Sequence, residues 1–175
     1  YHYERKFMSQ NLWTHIRTVS DFPKAGIEFY DISPLLNQHL NQLIDALIDA
    51  LPSDILAATD ALVAVESRGF VLASLLAARL DKGLILIRKT GKLPPPVHRE
   101  SYGLEYGSDT LEISCDLDPA NVLLVDDVLA TGGTLVAADK LCKAAGLTAL
   151  GSLVLLDLTE LHGDLGLKYW CVLSK

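Results

Sequence analysis

Apolar positions at Leu40, Leu43, Ile44, Leu47, Ile48 and Leu51 recur three and four residues apart, which predicts a helix with one hydrophobic face over 40–51. Pro52-Ser53 stops it. The run Ala61-Leu62-Val63-Ala64-Val65 shows no polar alternation, the pattern of a strand buried on both faces. A polar turn, Glu66-Ser67-Arg68-Gly69, follows, and then an apolar helix over 70–80. The same order returns twice. A strand over 84–87 comes after the helix stop Asp81-Lys82-Gly83, and a strand over 122–125 precedes a helical stretch to Ala145, closed by Gly146. A further strand covers 147–156, while the first sixty residues read as helical after a polar start. Strands alternating with helices predict an α/β fold with a central parallel sheet flanked by helices. Such sheets bind ligands beyond the carboxyl ends of their strands, so the turns after Val65 and Val125 are the places to look.

Between 89 and 113 the pattern changes. Pro94-Pro95-Pro96 is followed by Ser101-Tyr102-Gly103-Leu104-Glu105-Tyr106-Gly107 and an apolar segment over 110–113. Alternating aromatic and apolar positions with glycine spacing predict a long β-hairpin loop with a mobile tip, a kind of connection that is usually functional.

Composition narrows the classes. Half of the 175 residues are hydrophobic and 21% are charged, which predicts a single compact domain over 1–175 and excludes a disordered chain. With 15 basic and 22 acidic residues the net charge is −7, the wrong balance for a general nucleic-acid binder. No apolar stretch approaches the roughly 20 residues of a membrane span. Cys115, Cys142 and Cys171 are odd in number and widely spaced, and the five histidines lack metal-ligand spacing. Reduced thiols and a cytoplasmic location are expected.

The sharpest motif is Val122-Leu123-Leu124-Val125-Asp126-Asp127-Val128-Leu129-Ala130-Thr131-Gly132-Gly133-Thr134. An apolar strand delivers two carboxylates to its open end, and a small-residue turn then offers successive backbone N–H groups at a helix start, an anion-binding nest. Asp126 and Asp127 suit vicinal ribose hydroxyls, and Ala130, Thr131, Gly132, Gly133 and Thr134 suit a phosphate. An ordinary strand–turn–helix junction, with Asp127 at the surface and Thr131 as N-cap, is the plainer alternative. Neither GxxxxGK[ST] nor GxGxxG occurs, so the pattern points to a phosphosugar rather than to NTP hydrolysis or dinucleotide redox chemistry.

This motif resembles the 5-phosphoribosyl diphosphate (PRPP) signature of type I phosphoribosyltransferases. Asp21-Phe22-Pro23-Lys24-Ala25-Gly26-Ile27-Glu28-Phe29-Tyr30-Asp31-Ile32-Ser33-Pro34-Leu35-Leu36 is similar to the base-binding segment of the adenine phosphoribosyltransferases. Glu66-Ser67-Arg68-Gly69-Phe70 is similar to their diphosphate loop, and Arg88-Lys89-Thr90-Gly91-Lys92-Leu93-Pro94 with Ser101–Gly107 to the two ends of their catalytic loop. The resemblance implies a type I phosphoribosyltransferase fold with a small amino-terminal hood, within about 8–36, and a flexible loop, about 89–112. It implies adenine and PRPP as substrates, AMP and diphosphate as products, and a homodimer. Mg²⁺ would be held mainly through PRPP, and no residue is assigned as its direct ligand. By the same resemblance Glu105 is the catalytic acid/base, and Arg68 is both catalytic and a diphosphate ligand. Ser67, Lys89, Lys92 and Tyr106 bind diphosphate, while Glu28, Phe29, Tyr30 and Leu158 bind adenine. A different purine substrate and a non-catalytic PRPP-sensing regulator are the rivals; the intact Glu105 and Gly91-Lys92-Leu93-Pro94 speak against the regulator.

The charge is also unevenly spread. From 82 to 99 there are five basic residues and no acid, which leaves 10 basic and 22 acidic residues elsewhere, a net −12. An acidic body with one basic segment focuses a small polyphosphate while repelling nucleic acid.

Overall fold

The computed structural model describes residues 11–103 and 107–175. The chain forms two compact units, Tyr1–Asp49 and Ala50–Lys175.

In the first unit, strands β1 (Arg17–Ser20) and β2 (Glu28–Asp31) pair antiparallel, followed by helices α1 (Ser33–Gln38) and α2 (Leu40–Asp49). The hairpin corrects the helical expectation for this part of the chain. Its strands are only four residues long, β1 mostly exposed and β2 with only Tyr30 buried, so they carry no clear two-residue hydrophobic alternation. Local pairing holds it instead. Arg17 and Asp31 face each other in the register and form an ion pair at 2.8 Å, and Gly26 N–H donates to Asp21 Oδ1 at 2.7 Å across the connecting loop. Helix α2 buries Leu43, Ile44, Ala46 and Leu47, as its spacing requires.

The second unit comprises α3 (Ser53–Ala58), β3 (Ala61–Val65), α4 (Arg68–Leu80), β4 (Gly83–Lys89), β5 (Val97–Gly103) and β6 (Ser108–Ser114). It continues with β7 (Asn121–Leu129), α5 (Gly133–Ala144), β8 (Thr148–Asp157), a 3-10 turn (Thr159–Leu161) and β9 (Tyr169–Ser174). One seven-stranded sheet runs in the order β5-β6-β4-β3-β7-β8-β9. Pairing is parallel from β4 through β3, β7 and β8 to β9, and antiparallel where β6 joins β4 and β5. Within the hairpin loop expected over 89–112, residues 97–103 and 108–112 are paired strands at one edge of this sheet.

All five residues of β3 are fully buried, in accord with their unbroken apolar run. Val63, Val65, Val122 and Leu124 pack with Ala137, Ala138, Leu141 and Cys142 of α5. Burial pushes the Cys142 thiol up to about 12, so it serves the core as a small apolar group. From β3 the chain crosses through α4 to β4 on one side; from β7 it crosses through α5 to β8 on the other. Adjacent strands whose connections depart in opposite directions leave a crevice at their carboxyl ends.

Candidate active site

Strand β7 extends four residues past the expected end at Val125, so Asp126 and Asp127 stand on the strand itself. Asp127 is 4% exposed, which excludes the surface-residue alternative, and Asp126 is half-buried. Opposite them, β3 ends at Val65, and the cis peptide Glu66–Ser67 leads into α4. Gly69 in the first turn of α4 lies hard against β7. A Cβ there would stand 2.8 Å from the Val125 carbonyl oxygen and 3.2 Å from Asp126 Oδ1. Glycine alone permits this approach. It carries Arg68 to the strand, with Nε 2.7 Å from Asp127 Oδ2. The contact is one of charge rather than an aligned hydrogen bond, since Oδ2 has no well-directed donor.

Asp126 Oδ1 accepts the Asp127 N–H at 2.9 Å. Burial, and then the charge of Asp127, hold the Asp126 carboxyl well above the ordinary carboxylate range. Hydroxyl donors or a cation laid against this pair would relieve that stress. The following turn reaches Gly132, at φ +84°, before α5 begins. No side chain caps α5, so Thr131 is not an N-cap, and the N–H groups of its first turn are available to an anion.

These parts surround one cleft of about 570 Å³, lined by Ser67, Arg68, Lys89, Asp126, Asp127, Ala130 and Thr134, with Glu66 and Tyr102 at its walls. Two separate sequence motifs, the turn after β3 and the turn after β7, therefore meet as expected. Lys92 does not line the cleft; its carbonyl accepts Arg88 Nη1 at 3.2 Å. Leu158 follows β8 and donates its N–H to the Leu129 carbonyl at 2.9 Å. Glu28, Phe29 and Tyr30 lie on β2 of the first unit. There Phe29 meets Phe22 edge-on at 5.1 Å, and the buried Tyr30 donates its hydroxyl to Glu28 Oε2 at 2.9 Å. Glu105 and Tyr106 lie outside the described residues.

Four acids that received no role of their own from the sequence, Glu66, Asp109, Glu112 and Glu100, pair with basic residues around the cleft. Glu66 Oε2 accepts the Lys89 N–H at 2.9 Å and Arg88 Nε at 3.3 Å. Asp109 pairs with Lys89 Nζ at 2.9 Å and holds that ammonium above its ordinary value. Buried Glu112 accepts Arg99 Nε at 2.7 Å and the Gly91 N–H at 3.0 Å. Glu100 meets Lys140 of α5 at 2.9 Å, and the Tyr102 ring lies 3.2 Å from where a Cβ on Gly133 would be. Strand β5 thus lies along α5, from Gly133 to Lys140. These partnerships follow from strand register, Arg99 opposite Glu112 for instance, which local spacing does not encode.

Cations on one wall, with a carboxylate pair and an uncapped helix start on the other, thus line a cleft at the carboxyl ends of β3 and β7, where α/β sheets bind ligands. Residues 32–165 match the phosphoribosyl transferase domain. The chain is 49% identical over 165 residues to the adenine phosphoribosyltransferase of Polynucleobacter asymbioticus, covering 88% of this chain and 90% of that protein. The solved adenine phosphoribosyltransferase of Rhodothermus marinus superposes with a TM-score of 0.86 at 39% identity, over 97% of this chain and 99% of its own. That of Saccharomyces cerevisiae, solved with an imino-altritol bisphosphate and adenine, gives 0.84 at 35% identity, over 89% and 92%. The chain belongs to the phosphoribosyl transferase family, in the branch of the adenine phosphoribosyltransferases, enzymes that transfer a pentosyl group.

Proposed function

We propose that the protein transfers the 5-phosphoribosyl group of PRPP to adenine, giving AMP and diphosphate. The observation that carries this is the meeting of Ser67, Arg68 and Lys89 with Asp126, Asp127 and the Ala130–Thr134 turn around one cleft. The relatives' names, and the adenine in the yeast structure, support adenine as the acceptor.

In this reading the sugar 5-phosphate sits on the uncapped start of α5, and the ribose hydroxyls lie against Asp126 and Asp127. The diphosphate lies toward Arg68 and Lys89. Lys89 exchanges its contact with Asp109 for the anion, an accessible exchange because its side chain is 54% exposed. The N9–C1′ bond forms as the C1′–O bond to diphosphate breaks with its electron pair, through an oxocarbenium-like transition state. Arg68 meets the charge that gathers on the leaving group. Glu105 takes the proton that the purine sheds as N9 gains its fourth bond.

Two carboxylates, Asp126 and Asp127, suit Mg²⁺ that is bound chiefly through substrate oxygens. Bound there, Mg²⁺ would neutralise diphosphate charge. A homodimer is part of the proposal, supported by the exposed apolar side chains of Val71, Leu84 and Leu86. So is a cytoplasmic location, which the three free cysteines favour. Among the described residues no helix is long and apolar enough to cross a membrane.

Incubation with PRPP, adenine and Mg²⁺ is expected to yield AMP and diphosphate in equal amounts, and EDTA is expected to abolish both. Glu105→Gln should lower kcat by about 10²- to 10⁴-fold, the usual range for a lost general acid/base. Full activity in that variant would remove Glu105 from its role. PRPP binding without turnover of any base would favour a sensor.

A further inference from the structure

The segment between β8 and β9 touches the end of β7 and the turn that follows it. Leu158 N–H donates to Leu129 O at 2.9 Å, one residue before the turn. The Leu165 side chain covers Gly132 so closely that a Cβ there would lie 2.5 Å from Cδ2. Between these two contacts stands His162, its side chain 6% exposed. Its Nε2 lies 2.7 Å from Asp157 Oδ1 at the end of β8, and its Nδ1 lies 2.9 Å from the Gly163 carbonyl oxygen. Asp157 is 3% exposed and accepts the Tyr169 hydroxyl on its other oxygen at 3.0 Å.

We propose that His162, acting through Asp157, is a positioning residue for the phosphate-binding turn between β7 and α5. The proposal rests on the reading that this turn receives the sugar 5-phosphate. The His162–Asp157 contact folds the five-residue step after β8 back on itself, which fixes where Leu158 and Leu165 abut Leu129 and Gly132. Released, the segment would let Gly132 and the N–H groups beside it drift from the geometry an anion needs.

Both ring nitrogens face oxygens that only accept, so both contacts are made when the ring carries two protons, and a neutral ring loses one. The titratable groups that face it are Asp157 from β8 and Tyr169 from β9, with exposed Glu160 and Asp164 on its own segment. The Asp157 hydrogen bond, and then the Gly163 carbonyl, raise the imidazole above its ordinary 6.5 against the opposing effect of burial. A raised value in the folded state means that the clamp is fully present below pH 6.5 and is lost as pH rises through the folded value.

Titration calorimetry with ribose 5-phosphate and with diphosphate separates this role from general stabilisation. His162→Ala is expected to raise the Kd for ribose 5-phosphate about tenfold, the scale of one lost charge-assisted hydrogen bond, with the Kd for diphosphate unchanged within about twofold. His162→Arg keeps donors and charge at every pH. The ratio of wild-type to His162→Arg Kd should therefore rise above the folded imidazole value, and the ionisation of the phosphate itself cancels in that ratio. Tyr169→Phe leaves the ion pair and provides a milder variant, expected at about threefold, should His162→Ala not fold. Equal weakening of both ligands, or an unchanged ribose 5-phosphate Kd in both variants, would overturn the proposal. Wild-type protein that binds no ribose 5-phosphate would instead overturn the reading beneath it, and the proposal with it.

Discussion

Arg68→Ala should reduce kcat/KM for PRPP by about 10²- to 10³-fold, equivalent to roughly 3–4 kcal/mol of transition-state stabilisation. The guanidinium stands where β3 turns into α4, beside Asp127 and 43% exposed to the cleft. It is therefore the counter-charge of a buried acid and also part of the cleft lining. Loss of the side chain removes the charge that would meet the departing diphosphate. It also leaves the Asp127 carboxylate, 4% exposed, without that compensation. The two effects separate by experiment. Because the arginine is partly in solvent, the stability loss should stay near 1 kcal/mol, a melting shift of a few degrees, far less than the loss in rate. Arg68→Lys retains charge without the planar fork and should fall between wild type and alanine. An alanine variant with near-wild-type kcat/KM would remove Arg68 from the chemistry.

Gly132→Ala should raise the KM for PRPP by about 10- to 100-fold. At φ +84° an L side chain costs about 1–2 kcal/mol, and the added methyl would meet Leu165 at 2.5 Å. Leu165 ends in a flexible isobutyl group and can yield, so the turn is displaced rather than destroyed. Adding Leu165→Ala relieves the collision but not the backbone cost, and the double variant is expected to recover only part of the affinity. Complete recovery would show that collision alone mattered; unchanged PRPP kinetics in Gly132→Ala would dissociate this turn from the phosphate.

Much of the site was legible because its chemistry is local in sequence. Asp126 through Thr134 form one continuous strand–turn–helix, and Glu66–Gly69 form another, so local patterning located both ends of the cleft. Their proximity followed from the rule for parallel sheets and not from either motif. What escaped was non-local. Glu112 is an ordinary strand acid until register sets it opposite Arg99, and Asp109 becomes the partner of Lys89 only when β6 joins β4. The β1–β2 hairpin was missed because its strands are only four residues long, and the contacts that close it, Arg17–Asp31 and Asp21–Gly26, lie between residues distant in the local pattern. Strand β9 escaped because a short, half-buried edge strand alternates weakly. His162 had no visible role until Asp157, at the end of the neighbouring strand, gave its ring a partner.

Base selectivity tests the central claim most directly. Nucleotide formation would be followed with PRPP and Mg²⁺ and, in separate reactions, adenine, hypoxanthine, guanine or xanthine. A site built for the 6-amino edge should favour adenine in kcat/KM by at least about 10²-fold over each of the others, since it leaves its polar groups unpaired against a 6-oxo purine. Comparable or faster turnover of another base, or no nucleotide from any of them, would contradict it.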